Sequence, residues 1–247
     1  MSRDLALSPL HRNEIHVWKV DLGEEVFSAL RAYATLSAQE RGRADKFKFD
    51  RDRIKYVRAH TALHHILASY LNVQPGAIEF SEGPQGKPDL ILPPGKLPLK
   101  FNLSHSGDAA LVAVTLDRHV GIDIEYVQRE LDCLEIADRF FAPAEIRKLR
   151  ALDPETQTRA FFTCWTRKEA YIKAKGGGLS IPLQDFEVSL APGEKAALLW
   201  HRTDPKETRR WQFEEISVID GYAATAAVEG RGCTVRSFRW PDDASIE

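Results

Sequence analysis

The sequence predicts an α+β fold built from two similar halves, and three observations lead to this prediction. Stretches with helical apolar spacing are long and lie apart from stretches with strand-like alternation, which argues against a doubly wound parallel sheet. Each half runs in the same order, with a strand, then helices, then several strands. Each half also opens a helix with a related pattern, SAQE at residues 37–40 and APAE at residues 142–145.

These features predict an N-terminal α+β half over residues 1–115 and a C-terminal α+β half over residues 116–247. Sequence identity between the halves is slight, so the pseudo-twofold relation between them is an architectural prediction. Ligand pockets favour interfaces of this kind, and we therefore expect a cleft between the halves.

The composition is that of an ordinary globular protein, with 43% hydrophobic and 28% charged residues. The net charge of -2 argues against dominant nucleic-acid binding. Three cysteines without a CxxC spacing fit a reducing compartment. The first residues lack the apolar core of a signal peptide, and no apolar run is long enough to span a bilayer. We expect a cytoplasmic protein with no membrane or nucleic-acid partner.

In the first half, alternation predicts a strand over residues 16–22, and helical spacing predicts a helix over residues 24–36. The SAQE capping box opens a second helix. Asp50 is the expected cap of a long third helix, which Pro75 and Gly76 end. The elements that follow are a short strand, a turn-rich loop or edge, and two strands, at residues 77–80, 81–98, 99–103 and 109–116.

The second half begins with VGIDIEYV, which predicts a strand over residues 120–127. Helices are predicted near residues 134–140 and 144–152, and a longer one starts at about Pro154. This longer helix contains FFTCWTRKEAYIKAKGGGL, and its three glycines are a plausible end. The remaining strands are predicted at residues 185–190, 196–201, 211–219, 222–228 and 234–240.

Glu169 lies within an apolar helical face that Phe162, Trp165 and Ile172 form. Burying a carboxylate is costly unless a cation, a metal or a hydrogen-bond donor meets it. One interpretation is a weak Glu169–Lys173 pair on a solvated flank, and the other is a functional carboxylate. This segment alone does not decide between them.

Asp123 and Glu125 alternate with Ile122 and Ile124, so the two carboxylates project from one face of their strand. A solvated edge strand would explain them. Together with Glu169 they would also give one Mg²⁺ three carboxylates, and carboxylates, phosphate oxygens and water are its usual ligands. No His or Cys accompanies them, which disfavours zinc.

The segment FNLSHS, residues 101–106, places Ser104, His105 and Ser106 just past a predicted strand end. Neighbouring side chains diverge and no GxSxG elbow is present, so a nucleophile and its base are disfavoured. Anion binding and turn formation by the serines both remain. In the basic segment at residues 40–58, Arg43 and Lys55 could receive a phosphate, although a solvated helix face explains the same charges.

Taken in order, five segments resemble the motif series of 4'-phosphopantetheinyl transferases. They are GKP at residues 86–88, FNLSHS, VGIDIE, RFFAPAE at residues 139–145, and WTRKEAYIKAKGGGLSIPL at residues 165–183. The resemblance is to the surfactin-synthetase-activating (Sfp-type) branch, and order and spacing match from Gly86 to Leu190. It implies two similar α+β halves with coenzyme A in the cleft between them. It also implies transfer of the phosphopantetheine arm to a serine hydroxyl of an apo acyl or peptidyl carrier protein, with release of adenosine 3',5'-bisphosphate.

The resemblance also implies the roles of the acidic residues. Asp123, Glu125 and Glu169 would form the magnesium site, which Mn²⁺ could also occupy. Either Glu169 or Glu125 would be the general base for the serine hydroxyl, with Glu169 preferred. Lys173 would lie against the pyrophosphate and stabilise charge that develops there.

The residues implied to contact coenzyme A are Lys87, Ser104, His105, Lys173, Arg43 and Lys55. Of these, Ser104 and His105 would approach the 3'-phosphate, and Arg43 and Lys55 are carried over from a segment whose spacing varies within the family. Glu40 stands where a cation is expected, and His64 stands where an arginine is frequent.

Two other functions fit parts of the sequence: a magnesium-dependent hydrolase that splits coenzyme A, and a non-catalytic protein that binds coenzyme A or carrier proteins. The complete set of Asp123, Glu125, Glu169 and Lys173 disfavours mere binding. A hydrolase would release the bisphosphate without a carrier protein, whereas a transferase would release it only with one. Because the two halves are fused in one chain, we expect a monomer.

Overall fold

The chain folds into a mixed α+β structure, seen here in a computed structural model that describes residues 9–23, 29–83, 85–92, 95–96, 98–128 and 130–241. The helices are α1 (Ala29–Thr35), α2 (Ala38–Ala44), α3 (Asp50–Leu71), α4 (Cys133–Phe140), α5 (Pro143–Arg150), α6 (Pro154–Lys175) and α7 (Glu207–Arg210). The strands are β1 (Glu14–Asp21), β2 (Phe80–Glu82), β3 (Pro88–Leu90), β4 (Leu99–Ser106), β5 (Ala109–Leu116), β6 (Val120–Tyr126), β7 (Phe186–Val188), β8 (Leu198–His201), β9 (Trp211–Glu215), β10 (Tyr222–Glu229) and β11 (Thr234–Trp240).

Two sheets form the centre of the fold, and a long helix covers each of them. The first sheet has the order β11-β1-β5-β4, and the second has the order β6-β10-β9. Apolar residues of α3, among them Leu63 and Leu67, pack on one side of the first sheet. The facing sides of the two sheets enclose a second core that includes Val17 and Ile122, and α6 packs on the far side of the second sheet.

Helix α6 begins and ends where the sequence predicts. Asp153 caps its start by accepting a hydrogen bond from the backbone N–H of Thr156, and Pro154 occupies the first turn. Gly176 ends it with a φ of 72°, a left-handed conformation that glycine adopts without strain. The predicted helix end is therefore confirmed.

Helix α6 lies unusually close to β6 because β6 contains Gly121. A Cβ atom at this position would clash with the backbone of Ala170 and Ala174 in α6. The missing side chain lets the helix backbone rest on the strand, so residues of α6 and β6 share one site.

Within the described residues, no helix is long and apolar enough to cross a membrane.

Several local predictions are wrong for identifiable reasons. Phe49, not Asp50, is the N-cap of α3, and Asp50 is its first helical residue. The helix already ends at Leu71, since Asn72 adopts a left-handed conformation before the proline is reached. The strand expected at residues 77–80 starts only at Phe80, because a short 3₁₀ turn precedes it.

The last strand crosses from the end of the chain into the first sheet. β11 pairs in parallel with β1, with Thr234 opposite Glu14 and Trp240 opposite Val20. The strands predicted in this region exist, but alternation alone does not reveal their partners. Of the helix predicted at residues 24–36, residues 24–28 lie outside the described part of the chain.

Candidate active site

Lys173 of α6 reaches across to β6 and β4. Its Nζ lies 2.6 Å from Oδ1 of Asp123 and donates a second hydrogen bond, of 3.0 Å, to Oγ of Ser104. The Ser104 hydroxyl in turn donates to Oδ1 of Asp123 at 2.9 Å. The three residues therefore form one connected polar group. The exposed Glu169–Lys173 pair that the sequence allowed does not form, because Lys173 is committed to Asp123.

Three carboxylates lie close enough here for their charges to interact, and we call this region the carboxylate site: Asp123, Glu125 and Glu169. Burial raises the pKa of Asp123, and the Lys173 ammonium opposes that rise. Burial and repulsion from Asp123 also raise the pKa of Glu125. The pKa of Glu169 rises to about 7, first through burial and then through repulsion by Asp123 and Glu125.

The carboxylate site carries more negative charge than its neighbours neutralise. Oδ2 of Asp123 is buried and has no hydrogen-bond partner. No described group donates a hydrogen bond to Glu169, whereas Glu125 accepts one of 2.8 Å from Ser106. In the described residues, no three His, Cys, Asp or Glu side chains are grouped closely enough to hold a metal ion. The donor set nevertheless fits a hard divalent cation, since it consists of carboxylate oxygens and includes the buried, unpartnered Oδ2 of Asp123.

The Ser104–Ser106 segment lies inside β4, and its predicted place beyond a strand end is wrong. Strand β4 continues to Ser106 and is followed directly by the turn at Gly107 and Asp108. Alternation along the strand then turns Ser104 and Ser106 toward β6, where they bond Asp123 and Glu125. His105 projects the other way and is exposed.

Lys87 joins the two elements that carry the site. Its Nζ donates hydrogen bonds to the carbonyl oxygens of Lys173 at 2.7 Å and of Val120 at 3.0 Å. Burial lowers the pKa of Lys87 to about 8, against the attraction of Asp89. The lysine thus fastens the end of α6 to the start of β6.

The basic segment of the first half is partly neutralised. Lys55 lies 2.8 Å from Oδ1 of Asp108, and Arg43 lies 2.8 Å from Oε1 of Glu82. Desolvation lowers the pKa of His105, and the nearby charges of His60, Lys173 and Lys55 lower it further. Lys55 and His105 therefore lie near Lys173, although Asp108 already pairs with Lys55.

Glu40 does not supply a free negative charge. It completes the predicted capping box with Ser37, and it accepts hydrogen bonds from His60 at 2.8 Å and His64 at 2.9 Å. Burial alone would raise the pKa of Glu40, but these hydrogen bonds hold it well below the usual value. The sequence contains the capping-box pattern, but no sequence pattern predicts the histidine partners of Glu40, which lie on α3.

Two cavities flank this region. One of about 370 Å³ is lined by Glu40, Arg43 and His60 together with the loop at Gly86. The other, of about 490 Å³, is a largely apolar groove on the first sheet beside Leu111 and Ile219. None of the three carboxylates lines either cavity.

Two models of known protein families match the sequence. A family model described as the 4'-phosphopantetheinyl transferase superfamily matches residues 119–227. A second one, described as the N-terminal part of 4'-phosphopantetheinyl transferase, matches residues 24–117. The first match spans β6 and α6, and so includes all three carboxylates.

Similar proteins carry the same name. The chain is 38% identical to the 4'-phosphopantetheinyl transferase HetI of Nostoc sp. over 220 residues, which is 89% of this chain and 90% of that protein. It is 34% identical to a 4'-phosphopantetheinyl transferase of Bacillus subtilis over 65% of this chain and 69% of that protein. A holo-(acyl-carrier-protein) synthase from Bacillus anthracis, solved in complex with CoA (3',5'-ADP), overlaps 46% of this chain and 96% of its own, with 24% identity and a TM-score of 0.37.

The chain therefore belongs to the 4'-phosphopantetheinyl transferase family. It is an enzyme, a transferase that moves phosphopantetheine from coenzyme A to a carrier protein.

Proposed function

We propose that the transfer takes place at the carboxylate site and depends on Mg²⁺. The observation that carries the proposal is the buried Oδ2 of Asp123, which lacks a partner beside two further carboxylates. Repulsion among Asp123, Glu125 and Glu169 would be relieved by a divalent cation.

In this proposal Asp123, Glu125 and Glu169 hold the ion, which is Mg²⁺ or alternatively Mn²⁺. When bound, the ion would neutralise charge on the pyrophosphate of coenzyme A and on the departing adenosine 3',5'-bisphosphate. Lys173 would serve the same phosphates, because its ammonium lies beside Asp123 at the site.

Glu169 is the preferred general base for the carrier serine. None of the described donors engages its carboxylate, and a pKa near 7 suits proton transfer at neutral pH. Glu125 is the alternative, but one of its oxygens already accepts the Ser106 hydroxyl. No covalent intermediate with the enzyme is needed, since the serine attacks phosphorus in line.

Coenzyme A would lie in a cleft between two halves, residues 1–115 and 116–247, related by a pseudo-twofold axis. Two features support this division. The helices α3 and α6 each have 22 residues and each cover one sheet. The two family models also meet between residues 117 and 119.

The cationic residues would bind the phosphates of coenzyme A. Exposed His105, with Lys55 nearby, is well placed for the 3'-phosphate, and Arg43 lines the adjacent cavity. Ser104 would act mainly through Asp123, because its hydroxyl is bonded there. Nζ of Lys87 already donates to the carbonyl oxygens of Val120 and Lys173, so the rest of its side chain would contact the coenzyme.

The acceptor in this proposal is an apo acyl or peptidyl carrier protein, modified by a cytoplasmic, monomeric enzyme. The test is release of adenosine 3',5'-bisphosphate from coenzyme A, measured with and without apo carrier protein and with EDTA as a control. Release that requires both carrier and Mg²⁺ is expected. Release without a carrier would mean hydrolysis instead, and release that EDTA leaves unchanged would remove the magnesium requirement.

A further inference from the structure

Strands β4 and β6 lie side by side without a backbone ladder in the described structure. β4 is the last strand of the first sheet, and β6 is the first strand of the second. Backbone donors on the open edge of a strand need partners, because a buried N–H without one costs free energy. Two N–H groups of β6, those of Ile122 and Tyr126, find their partners in side chains of β4.

Three side chains of β4, at alternate positions, bridge this gap. Oδ1 of Asn102 accepts the N–H of Ile122 at 2.8 Å. Oγ of Ser104 donates to Asp123, and Oγ of Ser106 both donates to Glu125 and accepts the N–H of Tyr126 at 3.1 Å. We call Asn102, Ser104 and Ser106 the side-chain ladder.

Asn102 is the member of the ladder that touches only backbone. It is 8% exposed and holds β6 one residue before Asp123. A direct backbone ladder would bring β4 and β6 to the usual spacing of about 4.8 Å, with side chains perpendicular to the sheet. Here the Asn102 side chain takes the place of a backbone partner, and the same face of β4 carries the two serine hydroxyls that reach the carboxylates of β6.

We propose that Asn102 is a positioning residue, which fixes the register and spacing of β6 so that Asp123 and Glu125 hold their catalytic arrangement. The inference rests on the proposed function of these two carboxylates. Displacement of reacting groups by about 1 Å can cost about a hundredfold in rate. We therefore expect the loss of Asn102 to reduce turnover without removing any group that touches coenzyme A.

The experiment compares N102L, the smaller N102S and a control, T115V. Thr115 is fully buried in the neighbouring strand β5 and donates a 2.7 Å hydrogen bond to the carbonyl of Arg118, away from the carboxylate site. The control therefore loses a comparable buried hydrogen bond. Hydrogen exchange of single amides, kcat and KM for coenzyme A, and Tm are measured for each protein.

In N102L and N102S we expect faster exchange of the Ile122 amide, with kcat lowered about tenfold or more and KM for coenzyme A within about twofold. S106A should instead release the Tyr126 amide and leave Ile122 protected. T115V should lower Tm about as much as the Asn102 variants do, while its kcat stays at the wild-type value.

Three outcomes would overturn the inference. If the Ile122 amide stays protected from exchange in N102L, the hydrogen bond to Asn102 is not what protects it, whatever the activity of the variant. Unchanged kcat in both Asn102 variants removes the positioning role, and an equal loss of kcat in T115V assigns the effect to stability. If the wild-type protein modifies no carrier, the proposed function is contradicted instead. Hydrogen exchange of Ile122 still tests the Asn102 hydrogen bond in that case.

Discussion

The ammonium of Lys173 lies 2.6 Å from Oδ1 of Asp123 and links the last turn of α6 to the centre of β6. Lys173 and Asp123 both belong to the motif series found in the sequence. The contact leaves the other oxygen of Asp123 buried and unpartnered. Lys173 thus neutralises part of the carboxylate site, and Oδ2 of Asp123 is the oxygen that the proposed Mg²⁺ would meet.

Asp123→Asn should nearly abolish transfer while the fold is kept. Burial raises the pKa of Asp123, which means that the folded state disfavours its charged form. A neutral side chain of the same shape should therefore leave Tm unchanged or slightly higher. Transfer assays with thermal unfolding of the same samples check this, and full activity in the variant would refute the metal-site assignment.

Glu169→Gln should lower kcat by about a hundredfold or more, because the variant loses the preferred general base. The KM for coenzyme A should rise by only a few-fold, since Asp123 and Glu125 would still hold the proposed ion at the pyrophosphate. Steady-state kinetics separate the two constants. A rise in KM with an unchanged kcat would place Glu169 in coenzyme binding and not in proton transfer.

Single variants of Ser104 and His105 should behave differently. His105→Ala should raise the KM for coenzyme A with little change in kcat, because the imidazole is exposed beside Lys55 and Lys173. Ser104→Ala should mainly lower kcat, because its hydroxyl orients Asp123. An unchanged KM in His105→Ala would remove this residue from the 3'-phosphate site.

Lys168→Met should destabilise the protein by about 3–5 kcal/mol, because it leaves a buried carboxylate without its cation. Lys168 is fully buried, lies 2.7 Å from Glu145 and also donates to the carbonyls of Leu183 and Phe186. The matched control is Lys148→Met, which removes an exposed 3.4 Å pair with Glu194. Urea unfolding of both variants measures the difference, and equal stabilities would contradict a structural role for Lys168.

Glu207 should make stability fall in acid. Burial alone would raise its pKa, but hydrogen bonds from Lys175, Tyr171 and Trp211 lower it to about 2, below the usual value of 4.5. The unfolded chain therefore takes up this proton first, so stability is lost as the pH falls from about 4.5 to about 2.

Glu207→Gln provides the comparison for that prediction. The variant lacks the titrating group, so its Tm should depend less steeply on pH than the wild-type Tm in this acid range. Scanning calorimetry at several pH values measures both slopes. Identical slopes would show that Glu207 is not held below its ordinary pKa.

Much of the site could be predicted because its residues follow the periodicity of their own element. Asp123 and Glu125 alternate with buried isoleucines, and Glu169 and Lys173 lie one helical turn apart. The sequence also showed the glycines that end α6. Gly121 was part of the motif, but its reason appears only when α6 rests on β6.

The rest depends on contacts between elements distant in sequence. The sequence predicts a strand that ends at residue 103, whereas β4 continues to Ser106, because serine does not mark a buried strand position. Asn102 bonds a strand 20 residues away, and the histidine partners of Glu40 lie on another helix. No local pattern encodes such pairs, so a single sequence does not predict them.

We propose that this chain adds phosphopantetheine to a carrier protein at a magnesium-dependent carboxylate site. The most direct measurement is the intact mass of an apo carrier protein after incubation with this protein, coenzyme A and Mg²⁺, with parallel samples containing EDTA or the Asp123→Asn variant. We predict a gain of about 340 Da, one phosphopantetheine arm on the nucleophilic serine, only in the complete wild-type sample. An equal gain with EDTA or with the variant would contradict the site, and no gain on fatty-acid, polyketide or peptide carriers would contradict the transfer itself.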